Sequence, residues 1–317
     1  MMKKIVTVGG GTGTFTLLRG LKKYTSSLIA IFTMFDSGGS TGKLIDEFGY
    51  LPPGDIRRGI LALTPESSET RILRDLFNYR FTKGNGLAGH NFGNILLTAL
   101  KDITGDELAA IEEASKLFNI KGRVLPVTLD SAHLCAELES GEIIIGETNI
   151  DVPKHDTAIR IKKVFLDNKT HLLPDANDAI LEADVIVIGP GDLYSSVIPN
   201  LLVEGFIETV RESKAKKVFV CNVMTKNGET NDFKASDFLD TIENYIGKGI
   251  LTHFIVNNEK VSNESLKKYS EENATQVEAD NKLIERKDII IIRGNFINEN
   301  DIVRHDSNKL ARAIIDL

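Results

Sequence analysis

The chain has 317 residues, 42% hydrophobic and 26% charged, the makeup of a folded globular protein rather than a disordered one. Its 38 basic and 45 acidic side chains leave a net charge of −7 with no basic block, so the footprint of a nucleic-acid binder is missing. No apolar run approaches the roughly 18 residues that span a bilayer, the apolar stretch at 5–8 is far too short for a secretory signal, and Cys135 and Cys221 form neither a disulfide framework nor a zinc set. Those exclusions point to the cytoplasm, with both thiols read as buried and free.

Lys3-Lys4-Ile5-Val6-Thr7-Val8 reads as a short strand that runs into Gly9-Gly10-Gly11-Thr12-Gly13-Thr14. So many glycines persist only where backbone turns sharply or approaches something closely. Leu17, Leu18 and Leu21 follow at helical spacing. Strand, loop and helix start then make a cradle of free N–H groups suited to phosphate. A dinucleotide fingerprint fails, because Thr14 and Thr16 stand in the third glycine slot; Asp36 nevertheless ends the second strand where an adenosine ribose is read, which keeps an NAD-like ligand open.

The second strand, 28–34, leads into Asp36-Ser37-Gly38-Gly39-Ser40-Thr41-Gly42-Lys43. A P-loop is excluded by Ser37 in the first glycine position and by Leu44 after the lysine. The pentapeptide G-x-S-x-G is matched, so one reading is a serine hydrolase on Ser40 with Asp192 and His305. The preferred reading is a second phosphate-contacting loop beside the first, at the strand ends where doubly wound sheets bind ligands. Helices are then predicted at 55–63, 66–79, 92–100 and 106–118, a helical lobe at about 55–120 inserted after the second strand. Gly89-His90-Asn91-Phe92-Gly93-Asn94 precedes the third of these. Asn91 suits an N-cap there, and His90 and Asn94 lie within reach of a ligand.

Further strands are predicted at 124–128, 143–145, 159–165, 185–188, 217–221, 253–256 and 289–292, with helices at 177–183, 236–245 and 308–317. Near-continuous apolar strands alternating with amphipathic helices predict a single α/β domain over 1–317, a doubly wound and mainly parallel sheet covered on both faces. After the strand at 185–188 comes Gly189-Pro190-Gly191-Asp192-Leu193-Tyr194-Ser195-Ser196. Its serines either cap the next helix or, with Gly191, offer N–H groups to an oxyanion. Cys221-Asn222-Val223-Met224-Thr225 ends a fourth strand at the same edge, and Arg304-His305-Asp306 supplies an arginine suited to clamping a diphosphate. His305 reads as structural. No His/Cys/Asp/Glu set has the spacing of a structural metal site. A magnesium ion carried by nucleotide phosphates needs only one carboxylate, for which Asp36 is the candidate.

Taken in order, these blocks, together with Leu51-Pro52-Pro53-Gly54-Asp55-Ile56-Arg57, Gly122-Arg123-Val124-Leu125-Pro126 and Gly228-Glu229-Thr230, resemble the family of the deazaflavin phospholactate transferases and the gluconeogenesis factors. The resemblance covers nearly the whole chain and is nearer the second branch. It implies a Rossmann-like core with a nucleotide at its strand ends. In the transferase branch a phospholactyl group moves, with magnesium, from a guanosine diphosphate carrier to a deazaflavin alcohol (7,8-didemethyl-8-hydroxy-5-deazariboflavin). The gluconeogenesis-factor branch implies a regulator that binds a nucleotide sugar, UDP-N-acetylglucosamine foremost. Such a regulator supports cell shape and wall-precursor supply on gluconeogenic carbon sources. A protein target in amino-sugar metabolism and a homodimer are further expectations.

On this reading Gly10, Gly11, Thr12, Gly13, Thr14, Gly38, Gly39 and Ser40 hold the phosphates. His90, Asn94, Gly189, Gly191, Leu193, Ser195, Asn222, Met224 and Thr225 lie nearby. Asp36 contacts ribose or a metal (in an enzyme, the attacking hydroxyl), Arg304 clamps a diphosphate or sugar, and Tyr269 stacks on the ligand. Two departures favour binding over catalysis. Ser37 replaces the second of two adjacent aspartates, and Lys226-Asn227 replaces Gln-Pro.

Overall fold

A computed structural model describes residues 2–299 and 302–317. It opens with β1 (Ile5–Gly9), α1 (Gly11–Leu21) and β2 (Leu28–Phe32). Five helices follow without an intervening strand: α2 (Gly39–Phe48), α3 (Gly54–Leu63), α4 (Ser68–Asn78), α5 (Phe92–Thr104) and α6 (Glu107–Leu117). Next come β3 (Arg123–Pro126), β4 (Leu134–Leu138), β5 (Ile143–Ile145) and β6 (Ile161–Leu166). The remaining strands are β7 (Val185–Ile188), β8 (Lys216–Val220), β9 (His253–Asn257), β10 (Ile290–Gly294), and the short β11 (Ile297–Asn298) and β12 (Arg304–His305).

Seven strands form the central sheet in the order β10-β9-β8-β7-β1-β2-β3. Every pairing in it is parallel. β1, β7 and β9 are buried along their whole length, which is why they read as unbroken apolar runs. Ile5 stands opposite Leu28 on one side and Val185 on the other. The chain therefore leaves β1 towards β2 and β3, then returns on the far side through β7. Loops after β1 and β7 diverge at that reversal and leave a crevice at the carboxyl ends, the usual ligand position in this architecture.

Two expectations need correction. The helical stretch begins at Gly39 rather than at about 55, because Leu44 gives α2 a buried face that its glycine-rich start conceals. The strands expected at 143–145 and 159–165 lie outside the main sheet. With Leu134–Leu138 they form a separate antiparallel sheet, ordered β5-β4-β6. Near the C-terminus, β11 and β12 pair antiparallel, and Asp306 caps the helix Ser307–Ile315 through the N–H groups of Asn308 and Lys309. That helix packs on α1 so closely that a Cβ at Gly20 would lie 1.9 Å from the Ser307 carbonyl oxygen.

Candidate functional site

Loops after β1, β2, β7 and β8 and the β12 ribbon surround adjoining cavities at the carboxyl edge of the sheet. One, of about 180 Å³, is lined by Gly11, Thr12, Gly13, Gly191, Asn222, Met224 and Arg304. A second, of about 510 Å³, shares Gly11, Thr12 and Asp192 with it and adds Asp36, Gly38, Gly39, Ser40, Asn94 and Ser195. A third, of about 620 Å³, meets the others at Thr12, Arg57, Arg58 and Arg304 and is bordered by Phe15, Arg71 and Arg74.

Backbone donors come from two helix starts. Gly10, the residue before α1, carries no side-chain cap, and the Gly11 N–H donates to Asp55 Oδ1 at 3.1 Å. The N–H groups of Thr12 and Gly13 have no acceptor in their own helix. α2 also starts uncapped, after Gly38, and presents Gly39, Ser40 and Thr41 to the 510 Å³ cavity. Both N-termini thus carry partial positive charge towards one space. Close approach explains the glycines. A Cβ at Gly10 would lie 2.5 Å from Asp55 Oδ2, and one at Gly13 would lie 2.4 Å from the Pro190 carbonyl oxygen.

Charged side chains missed in the sequence line the same space. Asp55 is buried, and burial lifts its pKa to about 6; Arg58, hydrogen-bonded at 3.1 Å, opposes that rise while Asp36 adds to it. Arg57 is fixed by Asn94 Oδ1 at 2.9 Å and Asn78 Oδ1 at 3.1 Å. Burial, with Arg58 and Arg80 nearby, lowers its pKa only to about 10, so it stays cationic at neutral pH. Glu147 is raised to about 8 by burial and then by Asp36, Asp151 and Asp55, and so is mostly neutral at pH 7. The signal for Asp55, Arg57 and Arg58 was a charged run inside α3, whose other residues are apolar or glycine; nothing local marks Glu147.

Glu229 organises the loop after β7. Its carboxylate accepts the N–H groups of Tyr194 (2.9 Å) and Ser195 (3.2 Å) and the Ser195 hydroxyl (2.8 Å). Those donors are consumed inside the protein, which corrects the expectation that Ser195 presents them to an oxyanion. Lys226 lies beside it, 2.8 Å from Asp192 and 3.2 Å from Glu229, and in closer contact with Asp151. Burial pulls the lysine pKa down, but Glu229, Asp192 and Asp151 outweigh it and raise it above the ordinary value.

Other expected site residues stand behind the cavities. Thr14 is buried and donates to the Pro190 carbonyl at 3.2 Å, tying the first glycine loop to the third. The Gly189 N–H donates to Val8, and Leu193 is buried in the core. Thr225 pairs with Thr275. The Tyr269 hydroxyl donates to the Val303 carbonyl at 3.1 Å, and its ring packs in a small cluster with Val223 and Met224 and lines none of the three cavities above. His90 is buried behind Ser40 with its Nδ1 3.4 Å from the serine Oγ, and that oxygen accepts the Asn91 N–H at 3.0 Å. His305 is buried and hydrogen-bonds the Cys221 backbone, with its pKa lowered to about 4 by burial. A Ser40–Asp192–His305 triad is therefore not assembled.

Asp36 fits a protein-held magnesium poorly. One of its oxygens accepts the Gly38 N–H at 2.9 Å, and among the described residues it belongs to no set of three metal-ligating side chains. The set that exists, Asp151, Asp192 and Glu229, has the Lys226 ammonium among its oxygens. No helix of the described chain is long and apolar enough to cross a membrane.

Similar proteins place this geometry in a lineage. A sequence profile described as "2-phospho-L-lactate transferase CofD" matches residues 5–297. A gluconeogenesis factor of Halalkalibacterium halodurans is 44% identical over 316 residues, spanning 99% of this chain and 96% of that protein. The gluconeogenesis factor of Bacillus subtilis is 43% identical, spanning 99% and 98%. A crystal structure of a UPF0052 family member from Bacillus halodurans superposes with a TM-score of 0.92 at 42% identity, covering 99% of both chains. The chain belongs to the CofD family, among its gluconeogenesis factors.

Proposed function

We propose that this protein is a cytoplasmic regulator that binds a nucleotide sugar, with UDP-N-acetylglucosamine the first candidate, and serves cell shape and wall-precursor supply during growth on gluconeogenic carbon. The carrying observation is that two uncapped helix N-termini, at Gly11–Thr12 and Gly39–Thr41, line one cavity, and that Arg304 borders the two cavities adjoining it at Thr12. Diphosphate suits that concentration of backbone donors and positive charge. The adjoining cavities give a base and a sugar room on either side. Buried free thiols at Cys135 and Cys221 suit a reducing compartment.

Titration calorimetry with UDP-N-acetylglucosamine tests the reading. Binding that Arg304→Ala weakens at least ~tenfold, with little change in melting temperature, supports it. Absence of heat with every nucleotide sugar tried refutes it. The profile match supports a second reading, phospholactyl transfer to a deazaflavin alcohol. An unchanged deazaflavin mass after incubation with the activated donor and magnesium removes that alternative.

A further inference from the structure

The oxygens of Asp151, Asp192 and Glu229 lie within 4.8 Å of one another. That is the spread of carboxylate oxygens around a hard divalent cation, whose ligands stand roughly 2.0–2.6 Å from the metal. Glu229 is fully buried and fixed by three hydrogen bonds from Tyr194 and Ser195, so one oxygen is placed in advance. Asp192 follows β7, and Asp151 ends the short helix Glu147–Asp151. At their centre is an ammonium group: Lys226 Nζ touches all three carboxylates, and Lys226, Asp151 and Asp192 also line the 510 Å³ cavity.

We propose that Lys226 is a built-in counter-ion standing where a divalent cation would otherwise sit between Asp151, Asp192 and Glu229, so that the groove binds its phosphate ligand without a metal. The second half rests on the nucleotide reading above; the first half does not. A lysine tethered by its own backbone gives one positive charge where a metal gives two. It is also always present, whatever the supply of free magnesium. Removing it leaves three carboxylates facing one another, one of them buried, an arrangement that a divalent cation relieves.

Mn2+ binding, followed by electron paramagnetic resonance and by melting temperature in EDTA or Mn2+, tests the first half on the intact chain. Wild type and Lys226→Arg should show no Mn2+ site that Asp192→Asn abolishes, and their melting temperatures should not respond to Mn2+. Lys226→Gln should melt lower in EDTA, take up one Mn2+ and recover stability, and adding Asp192→Asn should weaken that uptake at least ~tenfold. If Lys226→Gln does not fold in EDTA, recovery of fold on adding Mn2+ supports the proposal and failure to recover overturns it. A folded Lys226→Gln that ignores Mn2+ also overturns it, as does a wild-type Mn2+ site lost in Asp192→Asn.

For the second half, the wild-type dissociation constant for UDP-N-acetylglucosamine should agree within about twofold between EDTA and Mg2+, whereas a gain of about tenfold from Mg2+ overturns metal independence. Should no nucleotide sugar bind at all, the functional reading fails while the Mn2+ results still decide the role of Lys226.

Discussion

Replacing Gly13 by alanine tests whether the glycine loop after β1 depends on backbone packed against backbone. The added Cβ would lie 2.4 Å from the Pro190 carbonyl oxygen and 2.9 Å from the Gly191 nitrogen, neither of which can rotate away as a side chain would. Restoring ordinary contact requires the loops after β1 and β7 to part by about 1 Å. Thr14 Oγ1 reaches the same carbonyl at 3.2 Å, so that separation also stretches a buried hydrogen bond past its useful range. Overpacking costs about 1–3 kcal/mol and a lost buried hydrogen bond about 1 kcal/mol. Together these predict a loss of about 2–4 kcal/mol, or a melting temperature lower by about 3–6 °C for a chain of this length. The groove is re-shaped at the same point, so calorimetry should show binding of UDP-N-acetylglucosamine weakened at least ~tenfold. Gly39→Ala is the stability control, because its Cβ meets nothing within 4 Å and only the φ of +52° is strained. It should cost about 1 kcal/mol. If Gly13→Ala melts with wild type and binds with the wild-type constant, close approach of these loops does not shape the site.

Two pH profiles follow from the buried carboxyls. Glu147, neutral at pH 7 with its pKa raised to about 8, gains charge as pH rises through that value. Affinity for a phosphate ligand should then fall between pH 7 and 9 by on the order of tenfold, from one added negative charge in the groove. Glu147→Gln should flatten that profile, and calorimetry across the range decides. Asp55 has a folded pKa of about 6 against 3.8 when unfolded, so between those values the native state holds a proton that the unfolded chain has lost. Its contribution is favourable below that window and declines as pH rises through it, by on the order of 3 kcal/mol. Asp55→Asn lacks the decline, and the difference in unfolding free energy should move in favour of the asparagine from pH 4 to pH 7; parallel denaturation profiles refute the assignment.

Much of the scaffold could be read from periodicity. The apolar runs at β1, β7 and β9 are the strands buried on both faces, and their alternation with helices gave the layered α/β sheet. Periodicity fails at β4, where Leu134-Cys135-Ala136-Glu137-Leu138 has no β-branched residue to announce a strand, so sequence alone does not separate the small antiparallel sheet from the main one. It also failed at α2, since glycine at positions 38, 39 and 42 looks like loop until Leu44 and Ile45 are seen to share a helix. In the site, backbone donors after β1 and β2 were legible because glycine marks them directly. Side-chain networks were not. Ser195 looked like a free donor, and only the tertiary fold shows Glu229, 34 residues later, taking both its N–H and its hydroxyl. Lys226 was legible as a departure from the family pattern, and Glu229 follows it by three residues, but its other carboxylate partners, Asp151 and Asp192, come from distant stretches of chain. No spacing rule connects them.

The groove is bordered by Gly11–Gly13 at one extreme of the sequence and by Arg304 at the other, held together where α1 and the helix Ser307–Ile315 touch through Gly20. Synthesis proceeds from the first of these towards the second. A nascent polypeptide on the ribosome consequently has its glycine loop long before the arginine that completes the wall. Fragments released early carry the glycine loop without the arginine wall, so the groove is closed on that side in fully translated copies alone.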